Sequence, residues 1–166
     1  MYSRSSHTRA SFFAALALVA FGLNWIWEMA QMPAYSEMAG RSWRETLFPC
    51  TVASLEDLAV TFGVYGVVAL AAGQLPWGAP VRSNLYATAA LLGAGFGVAL
   101  EWRAMALRTW SYTGLMPVVP LLGVGLWPTL QPALLIPAAV RLAAWWSMRR
   151  ETDGRPISAG NRSVPR

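Results

Sequence analysis

Four long apolar runs, separated by short polar stretches, set the pattern of the chain. The first goes from Ser11 to about Met32, the second from about Thr51 to Gly73, the third from about Asn84 to Leu107 and the fourth from about Pro117 to Trp146. About twenty residues of helix cross the hydrocarbon core of a bilayer, so each run is long enough. Lipid offers backbone groups no hydrogen-bond partners, and no run shows the period-two alternation of a barrel strand, so the pattern predicts helices. The expected fold is an all-α integral membrane protein. A four-helix transmembrane bundle occupies residues 11–146, after a tail at 1–10 and before a basic, disordered tail at 147–166. The fourth run contains Pro128, Pro132 and Pro137, and Pro117 and Pro120 stand ahead of Gly123-Val124-Gly125. A helix does not pass cleanly through such a stretch. A proline-distorted fourth span, opening on a re-entrant or distorted segment that supports a pocket there, is therefore expected.

Composition agrees. Apolar residues make up 55% of the 166 and charged residues only 13%, against about 25% charged in soluble domains. All 13 basic residues are Arg, and they flank the runs. That placement reads as a topology signal, and with no basic helix or aromatic readout motif it speaks against nucleic acid. If the N-terminus is inside, the inner segments hold Arg4, Arg9, Arg82 and the cluster from Arg141 onward, nine in all, against Arg41, Arg44, Arg103 and Arg108 outside. Both termini are thus expected in the cytoplasm, with the protein in the cell membrane. Arg4 and Arg9 ahead of an apolar run also suit a signal peptide, but the run continues into Trp25, Ile26 and Trp27 without a small-residue cleavage site, so a retained span is expected. The turn-rich stretch from Gln74 to Pro80 reads as a loop with an interfacial Trp77. Cys50 is the sole cysteine and His7 the sole histidine. No intrachain disulfide, thiolate cage or imidazole metal site can be built from them, and neither metal nor cofactor is expected.

Polar residues inside the runs carry the chemistry. Asn24, Glu28 and Gln31 close the first run, at spacings that share one helical face. Ser54, Asp57 and Thr61 open the second on one face, with Glu56 beside them. Glu101 lies near the end of the third, and Trp127, Thr129 and Gln131 open the fourth. In an up-and-down bundle these clusters all fall at one end, expected to be the outer half. Ionisable groups at membrane depth are costly and normally face a bundle interior or a wet cavity. Interfacial carboxylates and amide hydrogen bonds between helices are the plainer reading of each residue taken singly. Trp25, Trp27, Trp43, Trp102, Trp110 and Trp127 suit an interfacial belt, with a minority lining a cavity. Gly63, Gly66, Gly73, Gly93, Gly95 and Gly97 suit close helix packing.

Three stretches together resemble a family of small four-span bacterial membrane proteins of uncharacterised function: Asn24-x-x-Trp27-Glu28-x-x-Gln31-x-Pro33-x-Tyr35, Glu56-Asp57, and Glu101 followed by Trp110-x-Tyr112, Met116-Pro117, Pro120 and Val124-Gly125-Leu126-x-Pro128-x-x-Gln131. The resemblance implies a bacterial inner-membrane protein and no particular activity. Asn24-x-x-Trp27-Glu28 is also similar to a motif of membrane-bound terpene cyclases and emopamil-binding sterol isomerases. That similarity implies protonation of an isoprenoid double bond inside a helical bundle.

Three functions stay open on these residues. In a membrane-embedded acid–base isomerase or cyclase of a lipid or isoprenoid, the catalytic residues would be Glu28, Asp57 and Glu101, and Asn24, Trp27, Gln31, Trp127 and Gln131 would bind substrate. In a binding or accessory subunit with a protein partner in the membrane, the same cluster would organise packing. In a small cation or solute transporter, the carboxylates would bind a hard cation.

Overall fold

The computed structural model describes residues 3–153, with side chains from 9 to 149. Four helices make up the architecture: α1 (Ser3–Gln31), α2 (Trp43–Ala72), α3 (Ser83–Ala106) and α4 (Leu126–Asp153), with a 3₁₀ turn at Met32–Ala34. Among the described residues there is no strand, only two isolated bridges. Three stretches, Arg9–Ala34, Trp43–Ala72 and Ser83–Ala106, are helical, long and apolar enough to cross a membrane. The chain is all-helical, as expected, and α4 with its 28 residues matches the others in length.

The helices outrun the apolar runs at several ends. α1 is already helical at Ser3, inside the expected tail, and α4 continues to Asp153, past the expected onset of disorder at 147. The remainder of that tail, from 154 onward, lies outside the described residues. α2 begins at Trp43, ahead of Thr51, because Glu45 caps it: its carboxylate accepts from the Ser42 N–H at 2.8 Å and the Ser42 hydroxyl at 2.7 Å. Pro49 then falls inside the helix. Its missing N–H leaves only the Glu45 carbonyl without a helical partner, near the exposed helix start.

The segment ahead of α4 departs from the expected re-entrant span. Residues 117–125 form a short hairpin: Val119 N–H donates to Val124 O at 2.8 Å, Gly123 N–H to Val119 O at 2.9 Å and Leu126 N–H to Pro117 O at 2.7 Å. Pro117, Pro120, Leu121 and Leu122 are exposed, and Gly123 takes the left-handed φ of 67° that the turn demands. The prolines thus sit where no ladder N–H is required, and α4 runs unbroken through Pro132 and Pro137. The cavity described below is lined by α4 itself and not by this hairpin.

Apolar packing concentrates at the end away from the polar clusters. Phe12, Leu16 and Ala20 of α1 meet Tyr65 and Val68 of α2 and Ile136, Ala139, Val140 and Ala143 of α4. The α2–α3 turn closes this end. Gly73 caps α2 with φ 61°, and Trp77 is buried with its ring stacked on Tyr65 at 5.2 Å. The indole N–H donates to Tyr65 O at 3.1 Å, so Trp77 is a core anchor and not the interfacial residue expected.

Only some glycines mark close packing. A Cβ on Gly93 would lie 2.6 Å from Pro132 O, and one on Gly97 3.0 Å from Pro128 O, so α3 and α4 touch backbone to backbone there. At Gly63, Gly66 and Gly95 an added methyl would meet nothing within 4 Å. Gly93→Val should therefore lower stability by about 2 kcal/mol through overpacking, while Gly95→Ala should leave it unchanged or slightly raised. Thermal unfolding of the two variants in one detergent checks the difference; equal behaviour would contradict the α3–α4 contact.

Candidate functional site

On α1, Asn24, Glu28 and Gln31 face inward and are buried. Across from them, α4 presents buried Gln131. Its amide nitrogen donates to Asn24 Oδ1 at 3.0 Å and to Asp57 Oδ2 of α2 at 2.7 Å. Its oxygen accepts from Gln31 Nε2 at 3.1 Å. Gln31 spends its other amide hydrogen on Glu28 Oε1 at 2.8 Å and accepts from the Trp27 indole at 3.2 Å. Asn24 Nδ2 returns to the Ala20 carbonyl at 2.9 Å. Every amide hydrogen of Gln31 and Gln131 is used, as buried polar groups require. Glu28 and Asp57 are thus linked through the amides of Gln31 and Gln131.

α3 contributes Glu101, buried and hydrogen-bonded by the Tyr112 hydroxyl. The Tyr112 oxygen in turn accepts from the Gly125 N–H at 2.9 Å. Burial, and then the Glu101 carboxylate, push the Tyr112 phenol well above its ordinary range, so it stays protonated and donates. The Trp110 indole N–H is buried without a hydrogen-bond partner.

Two loops cap this end. Tyr35 and Tyr112 form an antiparallel bridge, Ser36 N–H donates to Ser111 O at 2.9 Å, and Thr113 N–H donates to Ala34 O at 3.0 Å. Glu37 fastens the pair by accepting from the Ser111 N–H at 2.9 Å and its hydroxyl at 2.9 Å. Desolvation is the largest single influence on the Glu37 pKa and raises it, but the hydrogen bonds together outweigh it and hold the Glu37 carboxyl below the usual carboxylate range.

Under the cap lies a cavity of about 450 Å³, a size typical of small-molecule sites. Glu28, Glu37, Glu56, Asp57 and Glu101 line it, five of the eight acidic residues in the chain. None of the arginines lines it among the described residues. The remaining wall is largely apolar, from Pro49, Ala53 and Val60 of α2, Phe96 and Leu100 of α3, and Pro128 of α4. No group of His, Cys, Asp and Glu suited to hold a metal ion occurs among the described residues. No protein family, characterised protein or solved structure matches the chain.

Of the residues singled out from sequence, Glu28, Gln31, Asp57, Glu101 and Gln131 line the cavity. Asn24 and Trp27 stand behind it, as hydrogen-bond partners of Gln131 and Gln31. Trp127 lies outside, 38% exposed. The tryptophan that reaches the cavity is Trp110. Tyr112, Tyr35 and Glu37 were missed as site residues, because they sit on loops whose pairing depends on tertiary structure; the spacing Trp110-x-Tyr112 in an otherwise polar stretch was the available signal.

Tyr112→Phe removes the donor to Glu101 and the acceptor of the Gly125 amide together. It should destabilise the protein by about 1–3 kcal/mol, whereas Trp127→Phe should change it by less than about 0.5 kcal/mol; chemical unfolding of both variants measures the gap. The Glu37 latch has a defined pH sign. A folded value below the unfolded one of about 4.3 means its stabilisation is complete above that pH and is lost as pH falls through the folded value. Amide exchange at Ser111 should therefore accelerate on acidification below the ordinary carboxylate range, and Glu37→Gln should abolish that dependence.

Proposed function

We propose that α4 spans the membrane alongside the other three helices, that both termini face the cytoplasm of a bacterial cell, and that the cavity carries out acid–base isomerisation or cyclisation of a lipid or isoprenoid. The observation that carries this reading is the convergence of three carboxyl groups, from three helices, on one apolar-walled cavity. An alkene needs a strong acid held out of water, and a cation formed from it needs a base and nearby π-faces. Glu28, buried and linked to Asp57 through Gln31 and Gln131, is the general acid, with Asp57 beside it. Transfer of the proton to one alkene carbon leaves a cation on the other. Glu101, positioned by Tyr112, takes a proton from the adjacent carbon, and a shifted or ring-closed alkene results with no redox partner. Tyr35, Phe96 and Trp110 supply the π-faces. The Asn24-x-x-Trp27-Glu28 similarity to terpene cyclases and sterol isomerases supports the same chemistry.

A second reading rests on the hydrogen bonds of Gln131. They tie α1, α2 and α4 together with no amide hydrogen left over, as a packing device in a binding or accessory subunit would. Transport is disfavoured because Leu16, Ala20, Val68, Ile136 and Val140 close the other end with apolar packing.

Glu28→Gln decides between the first two. It keeps shape and hydrogen bonding but removes the acidic proton. Purified protein should convert a membrane isoprenoid extract to products of unchanged mass, and the variant should lose about 10²–10⁴-fold in rate with its unfolding midpoint nearly retained. Undiminished activity in the variant removes Glu28 from the mechanism, and an inert wild type favours the accessory role.

A further inference from the structure

The cavity has a side entrance. Phe96 and Leu100 of α3 line it and are 42% and 38% exposed. Glu56, also a lining residue, is exposed on α2 across from them. Accessible lining residues on these two facing helices mark an opening between α2 and α3. These two helices are joined at the other end by the buried Trp77 turn and touch less than any other pair of neighbours around the bundle. The position of Glu56 is informative. It stands 13 residues into α2, inside the apolar run that begins near Thr51, where an exposed carboxyl on a spanning helix is costly unless it meets a polar partner.

The charge of the cavity narrows the visitor. Five acidic residues and, among the described residues, no arginine face it. A phosphate placed there would meet like charge in a low-dielectric wall with no compensating cation. An uncharged hydroxyl or carbonyl would find both donors and acceptors, in Tyr35, Gln31 and the carboxyls. An apolar chain would find Ala53, Val60, Phe96 and Leu100 along the seam.

We infer that the seam between α2 and α3 admits a phosphate-free, single-chain lipid directly from the bilayer, its uncharged polar end seated among the carboxyls and its chain lying between the two helices. This rests on the proposed site but not on its chemistry. The test is equilibrium binding of radiolabelled farnesol and farnesyl diphosphate, two probes with the same chain, to the full-length protein in phosphatidylcholine nanodiscs. Farnesol should bind, and the diphosphate should bind at least about 100-fold more weakly. Glu56→Gln should narrow that gap. Ala53→Trp should abolish farnesol binding by filling the seam, and Val60→Trp serves the same purpose should Ala53→Trp fail to fold. Equal binding of the two probes, no binding of farnesol, or farnesol binding undiminished in a folded seam variant would overturn the inference. So would a seam occupied by a second copy, seen as crosslinking between copies through Leu100→Cys in a Cys50→Ser background. Farnesol bound at the seam without any turnover of isoprenoids would leave the entrance standing and remove the proposed enzymatic role.

Discussion

Mutual satisfaction of polar side chains buried inside an apolar bundle is the constraint on which the rest of the structure depends, and Gln131 is where it is met. Its single amide reaches Asn24 and Gln31 on α1 and Asp57 on α2. An amide is the suitable group, since it offers two donors and an acceptor without adding charge to a space already holding carboxyls. A hydrophobic residue at that place would leave Asn24 Oδ1 and Asp57 Oδ2 without the donor they share, at the cost that attends any unpaired buried polar group. The cluster therefore holds three helices in register while leaving the carboxyls beside it turned toward the cavity.

The two ends of the bundle divide the work. At one end Trp77, Tyr65, Leu16 and Ile136 pack in the apolar core and hold the helices together. At the other, α3 and α4 remain closely apposed through Gly93 and Gly97 against Pro132 and Pro128, while α2 stands away and the cavity opens. Tight packing of one helix pair and a cap of paired loops allow the other seam to remain loose without loss of the fold. The acids are thereby concentrated where the packing is weakest.

Much of this was legible in the sequence, and the remainder was not for identifiable reasons. The ends of α1, α2 and α3 at Gln31, Ala72 and Ala106 each fall one residue before the expected boundary, because loss of apolar character and a glycine or loop signal coincide there. The helices α1 and α2 begin ahead of the apolar runs, since such runs stop at charges whereas a capped helix continues through them, as the Ser42 and Glu45 pairing shows. The prolines of residues 117–125 indicated that something irregular occurs but could not tell a re-entrant segment from a surface hairpin. Helical spacing placed Asn24, Glu28 and Gln31 on one face, and end-counting brought Asp57, Glu101 and Gln131 beside them. The same logic could not distinguish Trp110 from Trp127, which depends on how a loop folds back, nor see that Tyr112 would meet Glu101.

Gln131 and Asp57 interact directly across two helices at the heart of the polar cluster, and a double-mutant cycle isolates that contact. Unfolding free energies of the wild type, Gln131→Leu, Asp57→Leu and the double variant, in one lipid or detergent, yield the coupling between the two side chains. The account predicts a favourable coupling of about 1–2 kcal/mol, toward the upper end of what hydrogen bonds between membrane helices contribute. Additive single effects, with coupling near zero, would mean that the two groups do not meet and that the carboxyls around them are not gathered into one site.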